Sequence, residues 1–107
     1  MATQLPAPVA AAIDATNAGD RAGFLAAFTP DGAVDDWGRV FTGADEIGAW
    51  NDRENIGVQA AFAVEQVTVD GDEVTVVVQV SGNGFNGPST FTFLVEGDLV
   101  RRMTIRG

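Results

Sequence analysis

Cysteine, histidine, tyrosine and lysine are all missing from these 107 residues. Without cysteine there is neither a disulfide nor a thiolate metal site. Without histidine, the commonest general base near neutral pH and the usual zinc ligand are gone. Lacking lysine, the chain forms no Schiff base and has no P-loop lysine for a phosphate; lacking tyrosine, it has no phenol donor. Positive charge is scarce: six arginines face fifteen acids, for a net charge of −9. That excess repels phosphate backbones, so nucleic acid is excluded as a partner. Three of the arginines fall in "RRMTIR" at the C-terminal end, where they read as a solvated strand face. No apolar run approaches the roughly 20 residues of a membrane span, and "MATQLPAPVAAAIDA" lacks the basic start of a signal peptide. The expectation is a cytoplasmic protein with no membrane partner.

What remains is a foldable composition, 46% hydrophobic and 20% charged. Residues 1–107 read as a single domain, long enough to hide roughly two-thirds of the unfolded chain's surface in one core. Helical spacing recurs in "PVAAAIDATNAGDRAGFLAAF", at Val9, Ile13 and Thr16 and again at Phe24, Leu25 and Phe28. Gly19 suits the position just past a helix end, and Asp20 suits the cap of the next helix. "TPDG" reads as a turn. "AVDDWG" and "RVFTG" read as two short strands joined around Gly38. "ADEIGAWNDREN" reads as a third helix with acids in its first turn, ended by Asn55 and Gly57.

After Gly57 the period changes from helical to alternating. Four strand-like runs follow, "VQAAFAVEQVTV", "EVTVVVQVSG", "STFTFLVE" and "LVRRMTIR", separated by the turn signals "DGD", "NG" and "EGD". The stretch "GNGFNG" matches the spelling of a dinucleotide-binding loop, but such a loop must open a helix. Here Pro88 and strict alternation follow, so the six residues read as a hairpin tip turning at Asn86-Gly87, with Gly82 and Gly84 permitting a bulge or sharp curvature. The layout is α+β, helices packed on one face of a sheet.

In this order the pieces resemble the nuclear transport factor 2-like superfamily, which includes SnoaL-like polyketide cyclases and ketosteroid isomerases. The resemblance spans essentially the whole chain. It rests on "NAGDRAGFLAAFTPDGAVDDWGRVFTGADEIGAW" followed by four strands. It implies a cone-shaped, strongly curved antiparallel sheet, with three helices from the N-terminal half packed on its concave face around an apolar pocket. It also implies a homodimer formed through the sheet's outer face.

Strand alternation sends Val34 and Asp36 to one face of "AVDDWG", Asp35 and Trp37 to the other. By the resemblance, Asp36 stands where a ketosteroid isomerase carries its proton-abstracting aspartate. That chemistry has a second half, a tyrosine and a protonated acid that hold the enolate oxygen. Matching the helix without gaps puts Ala12 at the tyrosine position, and matching "STFTF" puts Ser89 near the second acid. The donor half is therefore weak. The resemblance further implies a pocket wall of Trp50, Phe28, Phe62, Ser89 and Phe91 for a small hydrophobic ligand. The residues themselves leave two accounts of the aspartates open. Either one is exposed while the other bonds to a turn or to Arg39 or Arg53, or Asp36 is a pocket base. No cofactor and no metal are implied, since Asp35, Asp36, Asp45 and Glu46 match no loop of ligand spacing. The activity expected is proton transfer on, or cyclisation of, a polyketide- or steroid-like carbonyl compound. The alternative is a non-catalytic ligand-binding or dimerisation module.

Overall fold

A computed structural model describes residues 5–107. Helix α1, Ala7–Ala18, begins behind Pro6, and the pre-set φ of Pro8 suits its first turn. Val9, Ala12, Ile13 and Thr16 form its buried stripe. Gly19 ends it in the left-handed conformation at φ 70°. The amides of Gly19 and Asp20 return to the carbonyls of Thr16 and Ala15, a double closure that satisfies the last orphan acceptors. Asp20 then starts α2, Arg21–Ala26, its Oδ1 accepting from the Gly23 amide at 2.9 Å. This single turn and a half exists to bury Phe24, which is fully inaccessible.

Strand β1, Phe28–Asp36, pairs through a tight turn with β2, Arg39–Thr42. The turn expected at "TPDG" is not a boundary: it lies inside β1, where the register against the last strand slips between Phe28 and Ala33. Thr29 donates to Asp31 Oδ1 within that slip, so the turn chemistry is used to bulge a strand rather than to end one. Helix α3, Gly43–Glu54, follows, and the Glu46 carboxylate accepts from the Thr42 amide to cap its start. A 3₁₀ turn, Ile56–Val58, leads into the meander β3 (Ala61–Asp70), β4 (Glu73–Ser81), β5 (Gly87–Glu96) and β6 (Leu99–Arg106). The β3–β4 and β5–β6 hairpins turn on Gly71 and Gly97, both at φ 61°, as "DGD" and "EGD" foretold.

The six strands lie in the order β2-β1-β6-β5-β4-β3, and the curved sheet does not close. It is mixed rather than antiparallel throughout, because β1 and β6 run parallel. Hairpin signals govern strands that follow one another. β1 and β6 meet only after α3 and the whole meander intervene, and no turn residue marks that pairing. The three helices cover one face, against Val74, Val76 and Val78 of β4, Phe91 and Phe93 of β5, and Val100 and Met103 of β6. Among the described residues no helix is long and apolar enough to cross a membrane.

"GNGFNG" carries no helix behind it, and it is also not the tight Asn-Gly hairpin expected. Gly87 already pairs with Val80, so the loop takes up every residue between them. Asn86 closes it from inside, its side-chain amide donating to the carbonyls of Gly82 and Gly84. The glycines serve close approach rather than a bulge: a Cβ on Gly82 would stand 2.7 Å from the Gln59 carbonyl, and one on Gly84 would stand 3.0 Å from Val58. The loop therefore docks on the 3₁₀ turn, with Asn83 N donating to Val58 O at 2.8 Å.

Candidate functional site

At the end of the core where β1 and β6 finish and β4 passes into its loop, the packing opens into a cavity of about 330 Å³. That is at the lower end of the size usual for small-molecule sites. Its deep wall comes from Asp36, Trp50, Asn55, Phe62, Ser89 and Phe91; its rim carries Trp37, Arg39, Arg53 and Phe85. The loop docking described above places Phe85 at the mouth, where it is 62% exposed. Trp37 stands across the β1–β2 turn at φ 53°, a strained conformation for a bulky residue, and is 65% exposed. Two large apolar groups held at one opening in this way form an exposed aromatic lip.

Asp36 is the last residue of β1, and alternation turns it to the helix side with Val34. Its Oδ2 accepts from Trp50 Nε1 at 3.1 Å and from the Arg39 guanidinium at 2.6 Å. Arg39 also grips Glu54 through both terminal nitrogens, at 2.9 and 2.7 Å, which holds the Glu54 carboxyl below its ordinary value. Oδ1 of Asp36 accepts from no group among the described residues. The result is a carboxylate with one oxygen fixed by an indole and an arginine and the other left free. Trp50, 2% exposed, is itself packed between Phe24 and Phe41, with ring centroids 6.1 and 6.4 Å away, so the indole that holds Asp36 is rigid.

The neighbouring Asp35 turns to the outer face of the sheet and has a different life. It accepts from the Gly38 amide at 2.8 Å, which shapes the β1–β2 turn, and from Arg102 and Arg106 of β6. The Arg106 guanidinium, then the Gly38 amide, hold its carboxyl down to about 2. The two accounts left open in the sequence thus divide between two residues. Asp35 bonds to a turn and to arginines, and Asp36, though paired with Arg39, lies on the cavity wall.

Of the expected wall residues, Trp50, Phe62, Ser89 and Phe91 are brought together, and Phe28 is not. Phe28 begins β1, at the opposite end of the strand from Asp36, and packs on Phe24 with ring centroids 5.2 Å apart and the planes tilted by 60°. Helical spacing with Phe24 had suggested a shared face; Phe28 instead lies past the helix end and fills the closed end of the core. Ser89 donates its hydroxyl to the Arg106 carbonyl at 2.9 Å, so it offers a ligand only lone pairs. Ala12 is buried in the core and does not reach the cavity. Neither position expected to hold an enolate oxygen therefore donates there. The residues that sequence reasoning missed as site members are Glu54, Asn55, Trp37 and Phe85. Glu54 had a signal, sharing a helix face with Ile47 and Trp50. Asn55 had been read only as a helix stop.

Comparisons with known proteins bear on the family and the fold. No curated protein matches the chain. Among solved structures, a candidate polyketide cyclase from Sinorhizobium meliloti superposes with a TM-score of 0.84 at 27% identity, covering 95% of each chain. A protein from Sphaerobacter thermophilus reaches 0.80 at 28% identity, covering 92% of this chain and 91% of its own. A Mycobacterium tuberculosis protein crystallised with estradiol-17beta-hemisuccinate shares the fold at a TM-score of 0.81 and 20% identity, with 97% and 95% covered. The SnoaL-like domain pattern matches residues 9–105, which takes in the described helices and strands except for the first residues of α1 and the last of β6. The chain belongs to the SnoaL-like domain family.

Proposed function

We propose that the cavity binds a small hydrophobic carbonyl compound and that Asp36 takes a proton from it. One observation carries this reading: Asp36 presents a free Oδ1 to an aromatic-lined cavity, while its Oδ2 is fixed by Trp50 and Arg39. A base must be held in one pose and keep one lone pair for the substrate, and this carboxylate meets both requirements. Phe62 and Phe91, with ring centroids 4.8 Å apart at near right angles, give the acyclic or ring carbon skeleton an apolar surface. Two solved relatives fit the substrate class: the S. meliloti protein is a candidate polyketide cyclase, and the M. tuberculosis protein holds a steroid ester.

The same geometry limits the reaction. An enolate formed deep in the cavity would find no donor pair there, since Ser89 has spent its hydrogen and Ala12 is elsewhere. Loss of one such donor costs about 3–4 kcal/mol of barrier. The proton acted on is therefore an acidic one, as in a β-dicarbonyl compound, whose anion is already delocalised. A second reading, binding without turnover, is favoured by the 2.6 Å contact of Arg39 with Asp36, which already pairs that carboxylate with a cation of the chain.

Deuterium exchange separates the two. The protein is incubated in D₂O with a hydrophobic β-dicarbonyl compound, and exchange at the acidic carbon is followed by mass spectrometry. The expected result is exchange above the buffer rate that falls about 100-fold in Asp36→Asn. Binding of the same compound with exchange at the buffer rate would establish the second reading and end the first.

A further inference from the structure

The side-chain oxygen of Asn55 is an atom that neither the fold nor the proposed proton transfer uses. Asn55 is 2% exposed, yet it lines the cavity. Its backbone is locked: the amide donates to Asn51 O, and the carbonyl accepts from Val58 N and Ala60 N. Its side chain is locked as well. The two amide hydrogens go to Thr16 Oγ1 at 3.1 Å and to Asn51 Oδ1 at 2.9 Å. Both partners are acceptors at these contacts. The Thr16 hydroxyl spends its hydrogen on the Ala12 carbonyl at 3.0 Å, and Asn51 Oδ1 also accepts from the Ile56 amide. Turning the Asn55 carboxamide over would set oxygen against two acceptors, so its orientation is determined.

That leaves Oδ1. Among the described residues no donor reaches it, and it is not sealed in the way the unpaired Asn51 Nδ2 is. The residue that lines the cavity therefore carries an acceptor of fixed orientation with no protein donor. The other polar atoms of that wall have the same sign: Asp36 offers a free carboxylate oxygen, and Ser89 offers lone pairs only. Donors gather at the rim instead, on Arg39 and Arg53. An acceptor with no protein donor is left to water, and a ligand that brings its own hydrogen takes the place of that water.

We infer that Asn55 selects ligands bearing a hydroxyl group, an enol or phenol, which donates to Asn55 Oδ1 at the deep end of the cavity. The inference rests on the reading of the cavity as a ligand site and adds the polar handle its ligand must carry. Among donors, a neutral hydroxyl fits better than an ammonium. Phe62, Phe91, Val80 and Ala60 line the same cavity, and a charge moved against such apolar groups is penalised. A ligand seated this way has its hydroxyl inward and any carbonyl or anionic group outward, toward the two rim arginines.

The test uses three probes of one skeleton: β-naphthol, its methyl ether and naphthylmethylamine. Affinities are measured by calorimetry, and the side-chain amide resonances of Asn55 are followed by NMR. Naphthol is expected to bind about 10-fold tighter than the ether, which keeps the rings and the oxygen but has a methyl group in place of the donor hydrogen, and to move the Asn55 carboxamide resonances. Asn55→Leu is expected to erase that preference and retain the ether; if the variant fails to fold, the wild-type probe pair and the resonances still decide. Equal affinity for naphthol and ether would overturn the role of Asn55 and leave the cavity as a ligand site. A preference for naphthol with the Asn55 resonances unmoved would also overturn it, assigning the hydroxyl to Asp36. Tightest binding of the amine would overturn the hydroxyl class. No binding of any probe would end the ligand reading and this inference together.

Discussion

The two ends of one sheet face follow the same alternation and reach opposite outcomes. At one end, Val34, Phe93 and Met103, which lie side by side in register, are sealed against α1, α2 and α3. Two residues along each strand, Asp36, Phe91 and Ile105, again in register, border the cavity. Strand geometry is continuous across that step, so the difference lies in what covers it. Phe24, Phe28 and Ile47 fill the space over the first set, where Phe24 and Phe28 pack with ring centroids 5.2 Å apart. Over the second set the chain offers a 3₁₀ turn and a glycine loop, which bridge the opening without filling it. A cavity here is a shortage of side-chain volume above an ordinary strand, and it is readable only after the elements have been placed.

The most direct way to break that comparison is to delete equivalent rings at the two ends. Phe93→Ala should cost about 3–5 kcal/mol, because the lost ring leaves a void among residues that cannot collapse. Phe91→Ala, two residues away on the same face, should cost about 2–3 kcal/mol, since its void joins a cavity that is already open. Urea unfolding of both variants checks the order. Equal losses would mean that the cavity end is packed as tightly as the other.

Adding volume gives the converse and a smaller effect. Val78→Phe overpacks a fully buried position of β4 and should destabilise by about 1–3 kcal/mol. Val80→Phe puts the same atoms into the cavity, so its cost should stay below about 1 kcal/mol. It should also abolish binding of the naphthol probe. Retained binding in a folded Val80→Phe would show that the ligand lies elsewhere.

Most of what positions the site was legible, and the limits have a common cause. Gly19 and Asp20, Gly71 and Gly97, and the alternation of β4 are local signals, and each did in the fold what its own chemistry requires. The faces of Asp35 and Asp36 followed from alternation alone. What was not legible depends on residues far apart. Asn55 matters because Thr16, 39 positions earlier, accepts from it. The parallel β1–β6 pairing joins the start of the sheet to its end. "TPDG" and "NG" carry true turn chemistry, yet tertiary pairing put the first inside a strand and stretched the second into a longer loop. Phe28 shares a helical period with Phe24 but sits beyond the helix end.

The gentlest test concerns the neighbouring aspartates, one on each face of β1. Asp35 is tied to Arg102 and Arg106, whose side chains are 43% and 44% exposed, so water screens the attraction and the effect on stability is small. Its direction with pH is nonetheless determined. Folding holds the Asp35 carboxyl down to about 2, below the ordinary 3.8, so the folded state binds its proton less readily than the unfolded chain does. A depressed carboxyl contributes stability that is fully present above the unfolded value and is lost as pH falls through the folded one. Asp35→Asn keeps an oxygen for the Gly38 amide and removes the charge. The difference in unfolding midpoint between wild type and Asp35→Asn should therefore be constant near neutrality and shrink as the pH falls from about 3.8 to about 2. A gap that persists at the acid end would mean that Asp35 acts through its shape and its bond to the turn, and that the arginines beside it contribute nothing to folding.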